Sequence, residues 1–292
     1  MKSVVITGCS AGVGRAAALL FDRAGWQVFA IVRRQVDADD LEAESSGALK
    51  AFLADVTDRG QVFAAAARIA EHCGDTGLDG LVCNAGVGGA GPLEFAPMDE
   101  LTKPIDTNLY GSIFCAQAFL PLLRSARGRI INVTSGSTLL NMPLVSTYPA
   151  AKYALELLTR QLRIEVAHFG VRVILLDPGH IKSRMTLSAE EQNALARAKL
   201  APEAIELYGD MLAKLDRMVT GMVGSGKEPE VVAQAYLKAL SDAKPKAFYT
   251  VGVDAKALRI IGRWAPQWLM DVMAARVLNS GAPDNEDAPA HR

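Results

Sequence analysis

Six short, nearly continuous apolar runs lie at 3–7, 28–32, 51–54, 80–83, 129–133 and 171–176. They alternate with stretches of helical periodicity near 13–24, 60–72, 98–123 and 148–168. Runs this short and this rich in β-branched residues suit strands buried on both faces, and strands separated by helices pair in parallel. The alternation predicts an α/β chain whose doubly wound parallel sheet carries helices on both faces. No linker interrupts residues 1–185, and no internal repeat or low-complexity segment is present.

After residue 185 the rhythm changes. Residues 187–218 read as helical without a strand partner, and Gly221–Gly226 reads as a flexible break. A helix near 229–241 and a strand at 247–251 follow. Residues 254–280 read as amphipathic helix interrupted at Pro266, and the last ten residues are polar and proline-bearing. The expected organisation is one domain over 1–282, with a core at 1–186, a substrate lid at 187–226 and a helical extension at 227–282. A disordered tail is expected at 283–292.

Bulk properties narrow the partners. With 31 basic and 32 acidic residues the formal charge is −1, which gives no electrostatic case for nucleic acid. Cys9, Cys73, Cys83 and Cys115 form no CxxC pair, and the four histidines form no metal-binding spacing. No metal is expected, and the cysteines read as reduced thiols of a cytoplasmic protein. The first strand begins at Ser3, so no signal peptide is expected, and no uncharged apolar run is long enough for a transmembrane segment.

The first strand runs directly into Gly8-x3-Gly12-x-Gly14, and a helix begins at once. Glycines let the backbone approach a pyrophosphate, and the helix N-terminus supplies N–H donors and a positive dipole. The sheet is therefore expected to be Rossmann-type, with Gly8, Ser10, Gly12, Val13 and Gly14 against a dinucleotide. An NAD site wants a carboxylate about 20 residues on, to accept from the ribose 2′-hydroxyl. Arg33 and Arg34 stand there instead, nineteen and twenty residues after Gly14. A guanidinium suits a 2′-phosphate, so NADP(H) is favoured and NAD(H) is the other possibility. Asp55-Val56, ending the third strand, could meet the adenine, although Asp55 could equally cap a helix. Asn84-Ala85-Gly86 ends the fourth strand with small residues where backbone must pass the cofactor.

Tyr148 and Lys152 are four residues apart and share a helix face, with Ser135 thirteen residues before the tyrosine. A free tyrosine titrates near 10, too high for easy acid–base service at neutral pH, and a neighbouring ammonium would lower it. Ser137, eleven residues before Tyr148, is a rival for Ser135.

These elements together resemble the short-chain dehydrogenase/reductase family over about residues 3–186. The resemblance rests on Thr7–Gly14, Asn84–Gly86, Asn108 within Asp106–Gly111, Ser135, Tyr148 with Lys152, and Pro178-Gly179, in that order. It implies that Tyr148 is the general acid or base, that Lys152 holds the nicotinamide ribose and assists the phenol, and that Ser135 binds the substrate oxygen. Asn108 would support a proton-relaying water, and Pro178, Gly179 and Ile181 would shape the nicotinamide pocket. The C-terminal segment is similar to the 17β-hydroxysteroid and retinol dehydrogenase-like members. The reading is an NAD(P)-dependent oxidoreductase acting on a hydrophobic secondary alcohol or ketone, such as a steroid, retinoid or aromatic compound. The resemblance also implies a homo-oligomer, dimer or tetramer, formed through helices 98–123 and 148–168. The alternative is a catalytically silent NADP(H)-binding sensor, but such proteins tend to lose the tyrosine or lysine. Cys83 in place of a first asparagine, Ala151 before the lysine, Ser183 where threonine is common and Ala11 in the glycine loop depart from the family pattern.

Overall fold

The computed structural model describes residues 1–89, 91–136, 142–182, 198–266, 269–270, 272 and 274–276. Its strands are β1 (Ser3–Thr7), β2 (Gln27–Val32), β3 (Leu49–Leu53), β4 (Gly80–Cys83), β5 (Arg129–Val133), β6 (Arg172–Pro178) and β7 (Phe248–Val251). They form one seven-stranded sheet ordered β3-β2-β1-β4-β5-β6-β7, and every neighbouring pair is parallel. The sequence reading placed all seven strands to within two residues.

The helices are α1 (Gly12–Arg23), α2 (Gln35–Ala43), α3 (Arg59–Cys73), α4 (Met98–Ile105), α5 (Gly111–Ala126), α6 (Tyr148–Glu165), α7 (Pro202–Ser225), α8 (Pro229–Ser241) and α9 (Val253–Trp264). Two apolar cores sandwich the sheet. Along β1, Val4 and Ile6 face a core with Phe21 of α1 and Tyr236 of α8. Val5 faces the opposite core, with Ile69 of α3 and Phe119 and Leu123 of α5. This is the period-two alternation of a strand buried on both faces.

Three local outcomes differ from the sequence reading. Gln35–Ala43 is helical, although its Asp, Glu and Gln content hid the two buried positions, Ala38 and Leu41. Residues 98–126 are helical throughout, as expected, but the helix is not regular. Pro104 leaves the Glu100 carbonyl without its helical donor, a π-helical turn over Asp106–Tyr110 follows, and α5 then resumes. Finally, α7 runs through Gly221 and ends only at Ser225, so the expected flexible break is helix. The expected tail at 283–292, the first part of the lid through residue 197, and Ser137 lie outside the described residues.

The sheet order reverses direction between β1 and β4. The carboxyl ends of those two strands therefore flank a crevice, the place where open α/β sheets bind ligands.

Candidate active site

The glycine loop is built into this crevice. Gly8 has φ +72°, and a β-carbon there would sit 2.8 Å from the Ala85 Cα. A β-carbon on Gly14 would stand 2.2 Å from the Gly8 carbonyl oxygen and 2.6 Å from Asn84 Nδ2. Gly12 adds a third left-handed or close-packed position, at φ +56°. The first turn of α1 thus lies against the loop it leaves, with its N-terminal amides at the sheet edge. This cradle fits a dinucleotide pyrophosphate. Ser10 and Val13 are partly exposed on the same loop, and Gly14 is buried.

Asn84 serves the cradle from within. Its Nδ2 donates to the Thr7 carbonyl at 2.9 Å, and its Oδ1 accepts from the Tyr236 hydroxyl at 3.0 Å. The Asn84 and Ala85 amides both donate to Thr7 Oγ1, at 3.0 and 2.9 Å. The side chain clamps the ends of β1 and β4, so any direct contact of this segment with a cofactor falls to Ala85, Gly86 and the backbone. Tyr236, fully buried on α8, was not anticipated from the sequence. Its partner lies 152 residues away, and nothing local marks it.

Arg33 emerges at the end of β2 with its side chain 70% exposed and one loose approach, 3.8 Å, to Asp55. Arg34 is turned away and paired with Asp37. Both guanidiniums at the β2 end are exposed, and Arg33 is the more loosely paired of the two. Asp55 accepts from the Thr57 amide and hydroxyl at 2.9 and 2.8 Å, and Val56 is buried beside it.

The reacting groups stand at the ends of β5 and α6. Thr147 Oγ1 donates to the Leu101 carbonyl, and Ser146 Oγ donates to the Glu100 carbonyl at 3.3 Å. Glu100 is the carbonyl that Pro104 cannot serve, so this irregular stretch of helix is tied to the residues that launch α6. Leu144 and Ser146 take φ of +65° and +56°, a costly conformation for residues with a β-carbon. Tyr148 follows, hydrogen-bonded to Ser135. Burial pushes the phenol above its ordinary range, the Ser135 bond pulls it down, and the Asp177 charge pushes it up.

Lys152 is buried, and its Nζ donates to the Val133 carbonyl at 2.8 Å. Burial lowers it to about 8, against a small opposing effect of Cys83. The ammonium therefore still predominates at neutral pH. A β-carbon on Gly86 would lie 3.0 Å from Asn108 Oδ1 and 3.5 Å from Lys152 Nζ. Both polar groups therefore converge on Gly86. Asn108 is fully buried in the π-helical turn and braces Val87 in both directions, accepting from its amide and donating to its carbonyl at 2.9 Å each.

The β6 end is held by residues the sequence reading did not single out. The Gly179 amide donates to the Val251 carbonyl at 2.8 Å. Asp254, at the start of α9, accepts from the His180 amide at 2.8 Å and contacts His180 Nδ1 at 3.0 Å. A β-carbon on Gly179 would fall 2.3 Å from the same carboxylate. Ile181 is buried and pairs with Lys227. Pro178, Gly179 and Ile181 are thus fixed from the C-terminal extension.

The sequence profile described as short chain dehydrogenase matches residues 2–194. The chain belongs to the short-chain dehydrogenase family. It is 35% identical over 283 residues to human retinol dehydrogenase 5, covering 94% of this chain and 88% of that one. Identity to human 17-beta-hydroxysteroid dehydrogenase type 6 is 33% over 282 residues, with 94% and 88% covered. Identity to the NADPH-dependent 3-dehydrocapnine reductase of Ornithobacterium rhinotracheale is 32% over 256 residues, with 86% and 88% covered. Among solved structures, a short-chain dehydrogenase from Streptomyces avermitilis superposes with a TM-score of 0.73 at 28% identity, with 96% of each chain covered. This short-chain dehydrogenase is accordingly an oxidoreductase acting on CH–OH groups. Among the described residues no helix is long and apolar enough to cross a membrane.

Proposed function

We propose that this short-chain dehydrogenase interconverts a bulky hydrophobic secondary alcohol and its ketone, using NADP(H) in preference to NAD(H). The observation that carries the reading is the hydrogen bond between Tyr148 and Ser135, with the Lys152 ammonium one helical turn on and close to Gly86 of the loop after β4. When bound, the nicotinamide group accepts or donates the hydride. Gly8, Ser10, Gly12, Val13 and Gly14 would hold its pyrophosphate, Arg33 its 2′-phosphate, and Asp55 and Val56 its adenine. Ala85, Gly86, Lys152 and the Pro178–Ile181 segment would hold its nicotinamide half.

Tyr148 gives its phenolic proton to the carbonyl oxygen in reduction and takes the alcohol proton in oxidation. Ser135 holds that oxygen by a hydrogen bond. The Lys152 ammonium favours tyrosinate formation, which the burial of the phenol otherwise opposes. Asn108 would support the water that renews the proton.

The substrate class rests on the apolar cluster that joins α7 to the segment preceding Tyr148. Leu144, Leu212 and Leu215 form a third buried cluster, with Met142, Val145, Leu200, Tyr208, Met211 and Met218 packed on it. It joins α7 to the segment immediately before Tyr148. Such a wall offers few donors to a polyol, and buried hydroxyls without partners are costly. Leu139, Leu140, Met185, Leu187 and Leu195, further apolar residues of the same stretches, lie outside the described residues.

Tyr153, Leu157 and Ile164 on α6, with Tyr110 just before α5, are exposed apolar side chains. They support a dimer or tetramer formed through these helices. The four reduced, buried cysteines support work in the cytoplasm.

The test is NADPH oxidation with a steroid or aryl ketone and NADP⁺ reduction with a retinoid or steroid alcohol, each against a small polar ketone and an aldose. We expect kcat/KM higher by about tenfold or more for the hydrophobic compounds. The opposite preference overturns the substrate class.

A further inference from the structure

Behind the catalytic helix lies a buried ionic group that the proposed reaction does not use. Arg259 of α9 donates through Nε to Asp177 Oδ2 at 2.9 Å, and through Nη1 and Nη2 to Glu156 Oε1 and Oε2 at 3.1 and 2.7 Å. Its guanidinium also lies 3.9 Å from the centre of the Phe248 ring. The side chains are 18%, 0% and 5% exposed for Arg259, Asp177 and Glu156. Arg160 makes a second ion pair with Glu156. Asp177 Oδ1 is buried with no hydrogen-bond partner in this structure. A buried carboxylate served on one oxygen by one cation depends heavily on that cation.

The place of this group gives it meaning. Tyr148, Lys152 and Glu156 are spaced by four residues and lie on one face of α6. Asp177 immediately precedes Pro178-Gly179. One guanidinium from the C-terminal extension therefore grips both elements that frame the reacting centre.

We infer that Arg259 is a positioning residue for the acid–base step, setting the charge around Tyr148 through Asp177 and Glu156. The inference rests on the proposed role of Tyr148. The groups facing Asp177 are Arg259 and Asp254 from α9 and Glu156 from α6. Tyr148 is faced by Ser135 and by the Asp177 charge itself, and Lys152 lies one turn along the same helix. With Arg259 present, the Asp177 charge is largely cancelled. Burial already lifts the Asp177 carboxyl to about 6, and without Arg259 it rises further, so at the alkaline pH where the phenol ionises an uncompensated negative charge makes that ionisation harder. Without Asp177, the surplus positive charge makes it easier.

The experiment measures the pH dependence of kcat/KM for alcohol oxidation in wild type, Arg259→Met, Arg259→Lys, Asp177→Asn and the double variant Arg259→Met/Asp177→Asn. Each variant is first checked by circular dichroism and thermal melting. The acid limb reports the group that must be deprotonated. It is expected to move up by about one pH unit in Arg259→Met and down by a similar amount in Asp177→Asn. Arg259→Lys and the double variant should stay near wild type. Tyrosinate absorbance of the cofactor-free variants, with Tyr148→Phe as the blank, gives the same order without turnover. If no substrate is turned over but the tyrosinate order holds, the proposed activity fails and this inference stands. If all limbs and tyrosinate titrations coincide while only rate or melting temperature falls, Arg259 is a structural clamp and the inference is overturned.

Discussion

Tyr148 and Lys152 illustrate how burial and charge divide the labour at a single helix face. The phenol is pushed up by burial, and the lysine is pulled down to about 8. Tyr148→Phe removes the proposed proton donor and leaves the cradle intact. Turnover should fall below a tenth of wild type while cofactor affinity, read by fluorescence titration, stays within about threefold. Activity above that level shows that another group carries the proton. The lysine makes a separate prediction about stability. Its folded pKa lies below the ordinary 10.5, so between these values the unfolded chain binds more protons. Its burial therefore costs stability in full below pH 8, and the cost fades as pH rises towards 10.5. The shift corresponds to on the order of 3 kcal/mol. Lys152→Met, compared with wild type by denaturant unfolding, should show its largest relative gain at pH 7 and a shrinking one towards pH 10. A difference independent of pH overturns this account.

At the scale of elements, sequence periodicity was informative where one physical cause dominated. The strands were legible because burial on both faces demands continuous apolar runs. The glycine loop was legible because Gly8 and Gly14 have no room for a β-carbon. The pairing of Tyr148 with Ser135 was legible by spacing, since the start of α6 and the end of β5 bring them within hydrogen-bond reach. Tyr236, Asp254 and Arg259 were not, because their partners Asn84, His180 and Asp177 are 152, 74 and 82 residues away. Helix α2 was hidden by its polar surface, and the π-helical turn between α4 and α5 by an apolar pattern that continues across Pro104. The glycines near 221–226 misled for a different reason. Glycine lowers helix propensity by only about 1 kcal/mol, which packing of Leu212 and Leu215 can override. Gly221 is exposed, and a β-carbon there would meet nothing within 4 Å. Gly221→Ala should therefore stabilise the protein by about 0.5–1 kcal/mol with turnover unchanged. A loss of kcat without loss of stability would restore the hinge at this position.

For the molecule as a whole, β1 and its glycine loop meet segments of α8, β7 and α9 around one crevice. The N-terminal strand and glycine loop form one wall, and Tyr236 of α8 reaches across to brace it through Asn84. The β6 end is fixed by Val251 and Asp254, so the segment that would hold the nicotinamide depends on the last strand and helix. A cofactor that binds such a crevice ties together parts of the chain that are far apart in sequence, and it must stabilise the folded state by mass action. At a hundredfold excess over Kd the gain is about 2.7 kcal/mol, and for a chain of this size roughly 2–4 °C of melting temperature accompanies each kcal/mol. NADPH should therefore raise the melting temperature by roughly 5–10 °C. NADH at the same concentration should raise it less, because Arg33 gains a phosphate partner only from the former. Arg33→Asp should invert the order, since a carboxylate accepts from the ribose hydroxyl and repels the phosphate. Equal shifts from both cofactors in wild type overturn the role of Arg33. The absence of a shift from either overturns the cradle as a dinucleotide site, whatever the activity assays show.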